Sequence, residues 1–150
     1  MHDRRRFLGV FGAAALVLGA GAPLGCGSPA QEDKEPHGLI KGPLARDVPL
    51  PSLAPVSDQA VVLGRDAAGL YAMTSICTHA FCNMEDSGSV AATGLVCGCH
   101  GSQFDANGAV AQGPAGAPLN HLDVLVEADG SITINADKIV AATARTPVPA

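Results

Sequence analysis

One stretch of the chain, residues 77–104, carries most of its cysteine and sets the main constraint on how it can fold. Four of the five cysteines and two of the five histidines lie there, in two motifs, Cys77-Thr78-His79 and Cys97-Gly98-Cys99-His100. Each motif offers a thiolate and an imidazole, which are the ligands that proteins use for zinc and for some iron–sulfur clusters. Any fold of this chain must therefore bring the two motifs together.

The composition favours short strands joined by turns around these motifs. Glycine (18) and proline (11) are abundant in the 150 residues, tryptophan is absent, and aromatic residues make up only 3%. Such a chain forms a modest aliphatic core of strands rather than long packed helices. Its length allows one domain of ordinary size. The formal net charge of -5, without a basic stripe, argues against nucleic acid as a partner.

Two hairpins are predicted, one on each side of the motifs. Residues 59–65 and 70–75 are β-rich runs around a glycine-containing turn, and the second run leads directly into Cys77. Residues 122–127 and 131–135 alternate apolar and polar side chains around another turn. The two hairpins place strands before and after the Cys/His motifs, which therefore lie on loops.

These strands predict an all-β domain over residues 44–137, a small antiparallel sandwich or barrel with the two motif loops at one end. A short first strand is expected at residues 46–50. Residues 27–43 are polar and rich in turn formers, so they predict a flexible linker. Residues 138–150 are expected to form a C-terminal tail.

The first 26 residues predict an export signal of the twin-arginine type. Arg4-Arg5-Arg6-Phe7-Leu8 begins an apolar run that ends in small residues before Cys26. Cleavage after Ala22, lipidation of Cys26 and retention as a membrane anchor all remain open. The first two are favoured, because several glycines and Pro23 weaken the run as a helix. The chain is then expected on the periplasmic side of a bacterial cytoplasmic membrane, anchored or soluble.

The motif residues alone leave two kinds of metal centre open. Two thiolates and two imidazoles can hold a zinc ion or a [2Fe–2S] cluster. Three observations favour the cluster: Cys82 and Cys99 have no use in a zinc site, export places the chain where disulfides persist, and Gly101-Ser102 can offer N–H groups and a hydroxyl to cluster sulfurs. A zinc-stapled binding domain is the alternative.

At these residues the chain resembles the Rieske iron–sulfur family. The family pattern of Cys-x-His followed by Cys-x-x-His is matched by the two motifs, and the resemblance covers residues 45–136. It implies a cluster bound by two thiolates and two imidazoles, namely Cys77, Cys97, His79 and His100. It also implies a disulfide between Cys82 and Cys99 that clamps the loops, and a hydrogen bond from Ser102 to the cluster.

The resemblance implies electron transfer as the function. Phe104 stands where quinol-oxidising relatives usually have a tyrosine that donates a hydrogen bond, so a lower reduction potential than theirs is expected. The chain would be an electron-transfer subunit of a membrane-associated oxidoreductase, without a separate catalytic centre of its own. The donor would be quinol or a cytochrome b, and the acceptor a c-type cytochrome. The alternative is the small subunit of a periplasmic molybdoenzyme such as arsenite oxidase, with a molybdopterin subunit as donor.

Overall fold

The computed structural model describes residues 35–56 and 58–149 of the chain. In this part of the chain there are ten β-strands and one 3-10 helix of three residues, so the all-β prediction is confirmed. The predicted export signal, with Cys26, and residues 27–34 of the predicted linker lie outside the described residues. Within the described ranges, no helix has the length and apolar character needed to cross a membrane.

The strands form two antiparallel sheets. They are β1 (Leu39–Leu44), β2 (Ser52–Pro55), β3 (Val61–Asp66), β4 (Gly69–Thr74), β5 (Gly88–Ala91), β6 (Gly94–Cys97), β7 (Gln103–Asp105), β8 (Val110–Gln112), β9 (His121–Val126) and β10 (Ser131–Val140). The large sheet has six strands in the order β1-β10-β9-β4-β3-β2, and the small sheet has four in the order β5-β6-β7-β8. The small sheet therefore lies in sequence between β4 and β9, and it carries the second motif.

Both predicted hairpins are present. β3 pairs with β4 from Val61–Thr74 to Asp66–Gly69, and β9 pairs with β10. The β3–β4 turn is closed by the Asp66 carboxylate, which accepts hydrogen bonds from the amides of Ala68 and Gly69. An aspartate that bonds to amides two and three residues ahead is a common way to stabilise a tight turn. The hairpin delivers the chain to the first motif.

The start of the domain differs from the prediction. β1 begins at Leu39, inside the predicted linker, because its residues pair with β10, with Ile40 opposite Ile134. Residues 46–50 were expected to form a strand, but the chain instead forms the 3-10 helix Ala45–Asp47. Pro49 and Pro51, which lack the N–H that a strand ladder needs, lie beside that segment.

The C-terminal segment also differs from the expected tail. β10 continues to Val140 after an irregularity between Asn135 and Ile139. Further along, Thr146 exchanges two backbone hydrogen bonds of 2.9 Å with Leu70 of β4. Ile139, Val140 and Thr146 are thus paired to the large sheet, because partners far away in sequence supply their hydrogen bonds.

Two apolar cores hold the sheets. The first is formed by the large sheet and the segments packed on it, and it includes Val61, Leu70 and Ile134. The second contains residues of both sheets and includes Met73, Leu95 and both Cys77 and Cys97. Burial of each large aliphatic side chain contributes about 1.5–3 kcal/mol. Because the second core contains the first cysteine of each motif, its packing fixes where the two motifs lie.

His121 is buried at the start of β9 with only 2% of its surface exposed. Its Nε2–H donates to the carbonyl of Asn107 at 2.9 Å, and its ring stacks on Tyr71. Its Nδ1 is buried and has no hydrogen-bond partner. Burial lowers the pKa of His121, and the positive charge of Arg145 lowers it further.

We predict that this histidine makes the fold less stable as the pH falls below about 6.5. The unfolded chain binds a proton at His121 near that pH, whereas the lowered pKa keeps the folded residue neutral, so stability is lost as the pH drops toward the folded pKa. Thermal unfolding should show a steeper loss in the wild type than in His121→Gln, whose amide can still donate to Asn107. Equal pH dependence in the two proteins would contradict this.

Candidate metal centre

The two motif loops have the same backbone hydrogen bonds. In each, the amide of the first cysteine donates to the carbonyl five residues ahead, and its own carbonyl accepts from the amide four residues ahead. The bonds are Cys77 N–H to Cys82 O, Phe81 N–H to Cys77 O, Cys97 N–H to Ser102 O and Gly101 N–H to Cys97 O. The fifth residue of each loop has a positive φ, 56° at Phe81 and 79° at Gly101. One turn conformation is thus used twice.

This repeated turn separates the predicted ligands into a buried pair and an exposed pair. Cys77 and Cys97 are free thiols, each with 1% of its surface exposed. His79 and His100 are exposed, and their ring centroids lie 4.8 Å apart with the rings nearly perpendicular. The motifs therefore present two sulfurs toward the interior and two imidazoles toward the surface.

Burial raises the pKa of the Cys97 thiol, and the neighbouring Cys77 side chain raises it further. The backbone amides of Cys99 and His100 act in the opposite direction, because they donate hydrogen bonds to the Cys97 sulfur. A metal ligand must be a thiolate, and a bound metal supplies the positive charge that a buried thiolate needs.

The arrangement fits a group with two metal ions better than a single ion. Among the described residues, the group of three ligand atoms lying within 4.8 Å of one another is Cys82, Cys97 and Cys99. Two of these sulfurs are joined in a disulfide and cannot bind a metal as thiolates. A zinc ion needs four ligands close around one point. A pair of thiolates and a separate pair of imidazoles match a [2Fe–2S] cluster with mixed ligation.

A disulfide between Cys82 and Cys99 joins the two loops, as the resemblance implies. The bridged residues are separated by 17 positions, and closing a loop of this size constrains the unfolded chain by about 3 kcal/mol in the entropic account. The hydroxyl of Ser87 lies 3.5 Å from the Cys99 sulfur. The disulfide therefore holds the two motif loops against each other.

A proline-containing loop, residues 113–118, is hydrogen-bonded to both motif loops. The buried Ser102 hydroxyl oxygen accepts a hydrogen bond of 3.0 Å from the amide of Ala115, which leaves the hydroxyl hydrogen available to donate. Thr78, between the first cysteine and histidine, donates from its hydroxyl to the Ala117 carbonyl at 2.6 Å. The loop is thus fixed beside the exposed imidazoles.

Sequence reasoning found the residues of the two motifs but missed those that hold them in place. Thr78 carried a weak signal, since it lies between two predicted ligands. Arg145 carried none, although its side chain contacts Tyr71, Asp66 and Asn107. Phe104, which stands where quinol-oxidising relatives usually have a tyrosine, is buried with 3% of its surface exposed.

Comparison with known proteins agrees with this geometry. The profile of the family described as Rieske [2Fe-2S] domain matches residues 45–124. The chain is 46% identical over 70 residues to the cytochrome b6-f complex iron-sulfur subunits of Synechococcus sp. (strain WH7803) and Parasynechococcus marenigrum (strain WH8102). Each match covers 46% of this chain and 38% of the relative, so the chain spans well under half the length of these curated proteins.

Among solved structures, a quaternary ammonium Rieske monooxygenase in complex with L-carnitine is similar in fold, with a TM-score of 0.51 and 18% identity. The similarity covers 72% of this chain and 35% of that one. At this level of identity it bears on the fold alone.

We predict that Gly101→Ala destabilises the second motif loop by about 1–2 kcal/mol, because an L-residue is strained at this positive φ. A Cβ at Gly101 would meet no atom within 4 Å, so the cost is conformational. Gly116→Ala is the matched control, since its site is equally open and its φ lies outside the left-handed range. Thermal unfolding compares the two, and equal losses would contradict the prediction.

Proposed function

The chain belongs to the Rieske [2Fe-2S] domain family, and we propose that it is the electron-transfer subunit of a membrane-associated cytochrome complex. The observation that carries this proposal is the placement of the two motifs, with Cys77 and Cys97 buried side by side and His79 and His100 exposed. An electron carrier needs its cofactor shielded from water on one side and reachable by a partner on the other. The chain contributes no separate catalytic centre in this proposal.

We propose that Cys77 and Cys97 bind the inner iron and that His79 and His100 bind the outer one. When bound, the cluster supplies a one-electron carrier whose potential lies above that of all-thiolate ferredoxins. The second apolar core excludes water from the two sulfurs. The exposed imidazole rings provide a short path to a docked partner. The Ser102 hydroxyl hydrogen is available to bond to the cluster, while the Cys82–Cys99 disulfide holds the loops together.

The relatives' names support a cytochrome complex as the setting. They are iron-sulfur subunits of cytochrome b6-f complexes, and they favour this setting over a molybdopterin-containing oxidase. We propose quinol, through a cytochrome b, as the electron donor and a c-type cytochrome as the acceptor. Export by the predicted signal in residues 1–26, with lipidation at Cys26 or a retained anchor, would place the domain on the periplasmic side of the membrane.

We predict that the purified chain contains about two irons and two acid-labile sulfides and is red-brown. Cys77→Ser and His79→Ala should each lose this content, because each removes a ligand. His37→Ala is the control, since this exposed histidine lies outside both motifs. Elemental analysis and visible absorption give the result. Stoichiometric zinc without sulfide would contradict the cluster and support the zinc-stapled alternative.

The partner proposal is tested with the full-length chain carrying a C-terminal tag in its native membranes. We expect the tagged chain in the membrane fraction, in a complex that contains b- and c-type haem. Added quinol should reduce the cluster of this complex. Cys26→Ser should release the chain from the membrane if a lipid is its anchor. A complex that contains molybdopterin and no b-type haem would overturn this proposal in favour of the molybdoenzyme.

A further inference from the structure

We propose that Arg145, in the C-terminal segment, is a positioning residue for the cluster site and acts on Ser102 through the hairpin formed by β7 and β8. The inference rests on the proposed cluster function. It concerns a residue that lies beyond the part of the chain matched by the family, residues 45–124.

Three side chains from outside the hairpin hold its turn, residues 106–109. The Tyr71 hydroxyl donates to the Ala106 carbonyl at 2.8 Å, and His121 Nε2–H donates to the Asn107 carbonyl at 2.9 Å. Arg145 Nη2–H donates to the side-chain Oδ1 of Asn107 at 2.7 Å. These side chains come from β4, β9 and the C-terminal segment, so the turn is tied to two strands of the large sheet and to the segment that is bridged to β4.

Arg145 is itself held rigidly. Its side chain is only 13% exposed, and its guanidinium carbon lies 4.1 Å from the centre of the Tyr71 ring. Its Nε–H donates to the Asp66 carboxylate at 2.7 Å, and Nη1 donates to the carbonyls of Ala142 and Ala144. A planar guanidinium can stack on a ring while it donates in several directions, which an ammonium cannot do.

The segment that carries Arg145 is anchored on β4. β9 pairs with β4 only at Ala72 and Met73, which leaves the backbone of Leu70 open on that side. Thr146 takes this place with two backbone hydrogen bonds to Leu70, and its hydroxyl donates to the Val124 carbonyl at 2.6 Å. Arg145 is therefore directed at the hairpin by a neighbour that is fixed to the sheet.

The hairpin connects this anchor to the cluster site. β7 follows Ser102 directly, and β8 runs into the loop whose Ala115 amide bonds to the Ser102 hydroxyl. Both partners of that hydrogen bond are thus attached to the same hairpin, about 10 Å from the turn by the length of three strand residues. A Cβ at Gly108 would lie 2.8 Å from the Met73 sulfur, so the turn packs closely against β4.

Hydrogen bonds to the cluster sulfurs help to set the potential of such centres, so the direction of the Ser102 hydroxyl matters. Loss of the Arg145–Asn107 bond would loosen the turn, which Tyr71 and His121 still hold, and so weaken the hold on Ser102. We expect a lower reduction potential and faster amide hydrogen exchange across residues 103–119.

The test compares Arg145→Met and Asn107→Ala with the control Arg46→Met, which removes an exposed arginine that pairs only loosely with Asp47 at 3.8 Å. Asn107→Ala is the more informative variant, because it removes the bond to the turn without changing charge and leaves the packing of Arg145 in place. Midpoint potentials come from redox titration followed by electron paramagnetic resonance, and exchange from mass spectrometry. Both test variants should show the downward shift and the faster exchange, and the control neither.

A double-mutant cycle with Ser102→Ala identifies the route. If Arg145 acts through Ser102, Asn107→Ala should shift the potential little further in the Ser102→Ala background. An equal shift in both backgrounds, or an unchanged potential and exchange in Asn107→Ala, would overturn the inference. A wild-type chain without iron and sulfide would instead overturn the proposed function, and the exchange comparison on that chain would still test whether Arg145 holds the hairpin.

Discussion

The whole structure depends on keeping two cysteine sulfurs side by side in an apolar interior while two imidazoles next to them face water. The second core satisfies the first requirement, because Cys77 and Cys97 are packed with Met73 and Leu95 from the two sheets. The repeated loop turn satisfies the second, since it exposes the histidine of each motif. The first motif loop extends from β4 of the large sheet and the second from β6 of the small sheet, and the proline-containing loop connects β8 of the small sheet to β9 of the large one.

Much of the fold could be predicted because its signals are local. The β3–β4 and β9–β10 hairpins follow from alternation around short turns, and the motif spacing marks both loops. β1 could not be predicted, since its partner β10 lies about ninety residues away and its own pattern resembles a linker. The strand expected at residues 46–50 failed where prolines break the ladder. Nothing in the alternation of β9 indicates that His121 is buried against Tyr71.

The candidate site divides in the same way. The ligand types and their spacing could be predicted from the motifs, and the disulfide between Cys82 and Cys99 from the family resemblance. The contacts that fix the site are tertiary and carry no pattern of their own. The hydrogen bond from Thr78 to Ala117 and the stacking of Arg145 on Tyr71 each join residues about forty or more positions apart. Chemistry was therefore easier to predict than its support.

Because both loops use one turn conformation, the geometry of the site depends little on the far end of the segment that connects the loops. Each loop closes its own hydrogen bonds, and the disulfide joins the loops directly. The base of the β5–β6 hairpin is held to the second loop, because the Gly98 amide donates to the Ser87 carbonyl, but the far end of the hairpin takes part in none of these bonds. Its tip at residues 91–93 is exposed. Loop-closure entropy grows slowly with length, by about 0.6 kcal/mol for each doubling. Residues can therefore be inserted at this tip without moving the proposed metal ligands, whereas the other end of the hairpin, where β6 ends at Cys97, is fixed by the second loop.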